Sequence, residues 1–264
     1  MTATSSFDLF APGAATASVL VGLRLTGLLL IAPVFSARTV PVAIRTAMLV
    51  VFTILLQPVA LAASRAPLLT PVTALGELLI GFAIGLGVAL LVGAAEFAGD
   101  MLATQIGLSG ASVLDPLGGA TAPVLANFMS LFTITVMLAL NVHLAMLEAL
   151  ATSLRAVPAG AALDLGRGTE TLLRLGGTLF ASGLRFAAPV VATVMIGNTA
   201  LAVLSRVAPQ LNILSVAFPL QIGLGLFALG ASVPYLASAL ANFPSHYDAQ
   251  LSTLFSAFMR GAAH

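Results

Sequence analysis

Between Val207 and Tyr247 the chain carries no Asp, Glu, Lys or Arg, and the same holds from Thr46 to Ser64 and from Pro123 to Leu147. Each run is on the scale of the ~20 residues that an α-helix needs to cross the hydrocarbon core of a bilayer. Hydrophobic residues make up 59% of the 264 and charged residues 7%, against a charged share of roughly 25% in soluble domains. A soluble domain has no interior large enough to hide that much apolar surface. The expected fold is therefore an all-α polytopic membrane protein.

Six hydrophobic segments follow from the spacing: Ala14–Phe35, Val40–Ala63, Thr73–Ile106, Pro123–Leu154, Leu172–Leu204 and Ile213–Ala241. Turn-rich stretches separate them at Ser36–Pro41, Ser64–Pro71, Gly107–Pro123, Pro158–Gly168 and Arg206–Asn212. Segments three, four and five are each long enough for roughly 50 Å of helix against a core of roughly 30 Å, so they must tilt, kink or protrude. Pro189 in segment five, and Pro219 and Pro234 in segment six, each remove a backbone donor and can bend a helix. Gly81 and Gly85 have the spacing of a close helix–helix contact. No basic residue precedes Arg24, so the first segment is expected to be retained rather than cleaved as a signal peptide. The alternation of Arg38, Arg45 and Arg206 with Arg65, Arg155, Arg167, Arg174 and Arg260 favours cytoplasmic termini.

A net charge of +1 without a clustered basic face excludes nucleic acid as the natural partner. All ten basic residues are Arg and there is no Cys, which removes a Walker A lysine, a Schiff-base lysine, a thiolate nucleophile and a cysteine metal site. The motifs HExxH, GxSxG and GxGxxG are missing, and Ser109, Ser112 and Asp115 share a loop with no nearby His to act as base. An intramembrane hydrolase is disfavoured, and neither a cofactor nor a metal is expected.

Ionisable residues within membrane segments are expensive and carry a functional hypothesis by default. Here they are Arg24, Glu77, Glu96, Asp100, His143, Glu148 and Arg185. Glu96 and Asp100 are four apart on one helical face, where they would share a proton or bind a cation in a secondary transporter. The competing reading, which we adopt, is structural: wetted near a helix end or paired with an Arg of a neighbouring helix. His143 reads as a packing residue with its hydrogen bonds satisfied, and Arg24 and Arg185 as groups that pair between helices.

The stretch Gly107 to Pro123, GLSGASVLDPLGGATAP, is a Gly-, Ser- and Pro-rich loop with one acid between two overlong apolar segments. Irregular backbone cannot face lipid, so this loop is expected to line a cavity or lie within protein.

Five blocks taken in order resemble one family. They are APVFSARTVPVAIR (32–45), GELLIGFAIGLGVAL (76–90), GLSGASVLDPLGGATAPVLANF (107–128), LALNVHLAML (138–147) and APQLNILSVAFPLQIGLGLFAL (208–229). The blocks are similar to the FliR/SctT family of membrane proteins from flagellar and injectisome type III export apparatus. SVAFPL, at Ser215 to Leu220, leans toward the flagellar branch.

The resemblance implies a FliP-like part over 1–168, including the 107–123 loop, fused to a FliQ-like hairpin part over 169–264. It implies one copy in a tilted helical assembly with FliP-like and FliQ-like subunits and an FlhB-like switch protein, in the bacterial inner membrane at the flagellar basal body. Unfolded secreted proteins would pass through the central pore. Gly107, Leu108, Ser109, Gly110, Ala111, Ser112, Val113, Leu114, Asp115 and Pro116 match the family's pore plug, although Leu108 and Leu114 stand where relatives often carry aromatics. Arg206, Pro209, Gln210 and Asn212 match a hairpin corner that meets a neighbouring subunit. The implied activity is noncatalytic gating of protein export.

Overall fold

The computed structural model describes residues 13–36, 40–64, 67–107, 124–207 and 213–259. Among these residues the chain is all-α, with nine helices: α1 (Ala14–Ile31), α2 (Pro33–Ser36), α3 (Val42–Ala63), α4 (Pro71–Gln105), α5 (Val124–Ala139), α6 (Val142–Ala156), α7 (Leu165–Val207), α8 (Ile213–Ala241) and α9 (Phe243–Met259).

Local chemistry sets several of these boundaries. Pro33 disfavours helical backbone in the residue before it, and Ala32 is extended at φ −64°, ψ 119°, which ends α1 and starts α2. Pro71 occupies the first position of α4, where its missing N–H is no loss. Thr70 caps the same end: the Thr73 amide donates to the Thr70 hydroxyl at 3.2 Å and the Thr70 amide to the Thr73 hydroxyl at 2.8 Å, the reciprocal pattern of a capping box. Asp164 caps α7 by accepting from the Arg167 amide at 3.1 Å. Pro58, Pro189, Pro219 and Pro234 all lie inside helices that continue past them.

Among the described residues four stretches are long and apolar enough to cross a membrane by length and composition: α1, α3, α4 and the Pro219–Met259 stretch of α8 and α9; α5 and α6 make a fifth if counted as one span. The structure therefore differs from six uniform segments in three ways. Segment four divides at Asn141, which sits in the left-handed region at φ 57° and so cannot continue a right-handed helix. Segment five is helical from Leu165, but its sufficiently apolar part is only Ala188–Val203, because Arg174 and Arg185 punctuate its first half. Helix α9 lies beyond the last expected segment.

The chain forms two compact units, interleaved in sequence. The first comprises the described parts of Met1–Leu90, Leu140–Gly177 and Pro244–His264; the second comprises those of Leu91–Ala139 and Thr178–Phe243. In the first unit, α1 packs on α3, and α3 on α6. Its buried side chains include Leu20, Leu25, Leu28, Ile80, Ile84, Met146 and Leu150, and the buried Tyr247 hydroxyl donates to the Ile84 carbonyl at 2.7 Å. The second unit buries Leu102, Ile106, Leu125, Met129, Val190, Val194, Leu229 and Leu236 together. There the Gln221 amide donates to Asn198 Oδ1 at 2.8 Å, tying α8 to α7.

Helices α1 and α4 cross in direct backbone contact. A Cβ at Gly81 would overlap the Arg24 carbonyl, one at Gly27 would overlap the Leu78 carbonyl, and one at Gly85 would strike the Ile31 side chain. The Gly81–Gly85 pair thus sits at a helix crossing, with Gly27 completing it from the other side. Small residues permit the approach because lipid supplies no hydrophobic drive between helices. Replacing Gly81 with Leu should destabilise the purified protein by about 1–3 kcal/mol or more through overpacking, read as a lowered midpoint of thermal unfolding in detergent. Gly93, whose added Cβ would meet nothing within 4 Å, is the control, and Gly93→Ala should be close to neutral. Equal stability of the two variants would contradict the crossing.

Candidate functional site

The first unit holds a charged centre enclosed by apolar helices. Arg24 on α1 is 0% exposed and Glu77 on α4 is 3% exposed. Arg24 Nε donates to Glu77 Oε2 at 2.6 Å, Nη1 to Ser153 Oγ at 3.0 Å and Nη2 to the Val157 carbonyl at 3.0 Å. The other carboxylate oxygen, Glu77 Oε1, accepts from the Gly160 amide at 2.9 Å. Ser153 completes its own valence by donating to the Leu150 carbonyl at 2.7 Å. One guanidinium and one carboxylate thereby join α1, α4, α6 and the turn after α6.

The turn is shaped for this bond. Gly160 has φ +78°, and a Cβ there would press on the Leu68 backbone at 2.9–3.0 Å, so a side chain would meet both an unfavourable conformation and the backbone of the segment before α4. Guanidinium keeps its proton in proteins and presents several donors in a rigid fork, which suits it to a buried hub with fixed acceptors. With both carboxylate oxygens engaged, the centre ties the helices together as a latch.

The other ionisable residues are distributed differently. Glu96 and Asp100 are exposed on α4 within the second unit, on the same surface as exposed Thr104. The Asp100 backbone carbonyl accepts from the Thr104 hydroxyl at 2.9 Å. Between these acids Phe97 meets Phe180 of α7, ring centroids 5.5 Å apart. The ion pairs Arg24–Glu77, Arg167–Asp164 and Arg174–Glu170 do not include Glu96 or Asp100. Arg185 and Arg206 are exposed on α7, the latter in its last turn where a cation complements the helix dipole. Glu148 is exposed on α6. His143 is half-buried, and its Nδ1 is buried without a hydrogen-bond partner among the described residues, unlike the satisfied packing residue expected from sequence.

Of the residues expected to form a plug, only Gly107 falls within the described structure; it follows α4 at φ +78°, with its amide 3.3 Å from the Thr104 carbonyl. Leu108 to Pro116, and Pro209, Gln210 and Asn212, lie outside the described residues. Sequence reasoning did not find Ser153, Val157 and Gly160. Two of them act through backbone atoms, which no residue pattern announces.

The buried latch has a measurable consequence. Removing one partner leaves an unpaired charge in a dry interior, so Arg24→Met or Glu77→Leu alone should cost about 3–5 kcal/mol, whereas the double variant should recover a large part of that loss. Thermal unfolding of the three purified variants checks this. A double variant as unstable as the sum of the singles would contradict the latch.

Comparison with known proteins agrees with the helical membrane architecture. Residues 15–246 match the family described as bacterial export proteins, family 1. The chain is 32% identical over 216 residues to the flagellar biosynthetic protein FliR of Pectobacterium carotovorum subsp. carotovorum, an alignment covering 81% of this chain and 82% of the relative. It is 30% identical over 218 residues to FliR of Escherichia coli (strain K12), with 81% and 83% covered. For FliR of Bacillus subtilis (strain 168) the identity is 28% over 234 residues, with 85% and 87% covered. Its long apolar helices suit the bacterial inner membrane, and the chain belongs to family 1 of the bacterial export proteins.

Proposed function

We propose that this chain is a noncatalytic subunit of the flagellar type III protein-export gate and that its Gly107–Pro116 segment is the pore plug. Family membership across residues 15–246 carries the reading, together with the 18-residue interval between α4, which ends at Gln105, and α5, which begins at Val124. Helix α4 has 35 residues, about 52 Å at 1.5 Å per residue, and so exceeds a core of roughly 30 Å. A Gly- and Ser-rich stretch after such a helix suits a protein-lined channel, where irregular backbone is tolerated. Leu108, Val113 and Leu114 supply apolar bulk for a seal, and Gly107 and Gly110 the backbone freedom to move it.

In this reading the chain has six hydrophobic segments, FliP-like over 1–168 and FliQ-like over 169–264, and assembles with FliP-, FliQ- and FlhB-like proteins around the path of unfolded substrates. The relatives named above are flagellar proteins, which supports the flagellar branch over the injectisome one. A coupled-ion transporter would need Glu96 and Asp100 enclosed in a site. Their exposure on a monomer otherwise rich in apolar helices fits a contact with another subunit better. Arg206, Pro209, Gln210 and Asn212 serve as a second contact, at the FliQ-like or switch partner.

Deleting Ser109 to Leu114 should leave assembly intact and raise resting membrane conductance, measured in cells that contain the assembled variant. Normal assembly with unchanged conductance would reduce the segment to a connector. Gln210→Ala combined with Asn212→Ala should weaken recovery of the FliQ-like or switch partner on tagged purification without blocking membrane insertion, and wild-type recovery would remove that contact.

A further inference from the structure

Helices α6 and α9 of the first unit flank an open cavity of about 490 Å³ whose lining carries, among the described residues, two acids and no basic residue. The α6 lining runs from Glu148 to Ala156 and the α9 lining from Asp248 to Met259, roughly 12 Å and 16 Å of helix, two to three turns each. Each acid is the most N-terminal lining residue of its helix. The floor is apolar: Ala149, Leu251 and Phe255 are buried, while Glu148 and Asp248 are exposed.

The polar rim carries two carboxylates and three hydroxyls, those of Thr152, Ser252 and Ser256. Ser252 and Ser256, both exposed and both lining the cavity, donate their hydroxyl protons to the Ala249 and Thr253 carbonyls of their own helix at 2.8 Å. Only their oxygen lone pairs remain for a visitor, and ionised carboxylates likewise only accept. An acidic rim over an apolar floor two to three turns long suits a helix with Leu-, Val- or Met-like anchors at i, i+3 or i+4, and i+7, and a Lys or Arg at the end that meets the acids. A two-fold contact of this groove with the same groove of a second copy would set acids against acids, and like charges brought together disfavour docking.

We propose that the α6–α9 groove receives a basic amphipathic helix from another subunit of the export complex. The assignment rests on the reading of this chain as a member of a heteromeric gate. The carboxylates orient the incoming helix by its cationic end, and the floor takes its apolar side chains.

A photo-crosslinking amino acid placed at Thr152 or Ser252 of the full-length chain, in the assembled complex in native membranes, tests the groove. Peptide mapping should place the adduct on a helical segment of another subunit that carries Lys or Arg within a turn of its apolar anchors. The same probe at exposed Thr193, on α7 of the second unit, should not give that adduct. Glu148→Gln with Asp248→Asn should cut the adduct about threefold, and Glu148→Arg with Asp248→Arg about tenfold or more; Lys→Glu or Arg→Glu in the mapped partner should restore crosslinking to the reversed groove. Adducts to lipid alone, to a second copy of this chain or to a segment without basic residues would overturn the assignment, as would indifference to the charge changes. Tagged purification of the unsubstituted chain separates the two levels. Recovery alone would overturn the gate reading and the groove with it, whereas an intact complex without the groove adduct overturns the groove only.

Discussion

The arrangement of the first unit depends on a buried guanidinium that has nowhere else to go. Arg24 is 0% exposed on an apolar helix and shares its donors among a carboxylate, a hydroxyl and a backbone carbonyl. Its fit with the glycine crossing is geometric. Glu77, Gly81 and Gly85 recur every fourth residue and so share one face of α4, and the carbonyl that Gly81 accommodates is that of Arg24 itself. The glycines bring the two backbones together, and that approach puts the guanidinium within reach of the carboxylate. Neither feature is useful alone: close helices without the pair would bury an orphan charge, and the pair cannot form between helices held apart by side chains.

Much of the helical pattern was legible because hydrophobic length and proline position are local properties. The start of α4 at Pro71 and the interval after Gln105 lie close to the sequence-based boundaries, whereas the break at Ala32 before Pro33 falls inside the first expected segment. The break at Asn141 was not legible, since an isolated Asn within LALNVHLAML leaves the hydropathy of the segment unchanged while its backbone changes hand. Helix α9 was missed for a related reason: His246, Asp248 and a series of hydroxyls dilute its apolar face. In the latch, both charged residues stood out as intramembrane ions, yet their pairing spans 53 positions and its remaining partners are a serine and two backbone groups. Composition marks a residue as needing a partner and does not say which one it finds.

The isolated chain presents two kinds of surface that lipid would treat differently. Helix α3 exposes Val42, Ile44, Val50, Val51, Ile54 and Leu55, a face that needs nothing more than acyl chains. Glu96 and Asp100 on α4, and Glu148 and Asp248 beside the α6–α9 groove, are exposed acids, each expensive at the bilayer centre. Their presence on a chain of this hydropathy is reasonable for a subunit whose polar faces are covered by other proteins or by an aqueous path. That division accords with the proposed place of the chain in a multi-subunit gate.

The central claim, that this chain closes the export pore with the segment after α4, is tested most directly by a cryo-electron microscopy structure of the assembled resting complex, purified through a tag on this chain. The account predicts density for Gly107–Pro116 across the pore axis, with Leu108, Val113 and Leu114 at the constriction and FliP-like and FliQ-like subunits around it. An axis occupied by another subunit, with this segment packed on the outer wall, would contradict it.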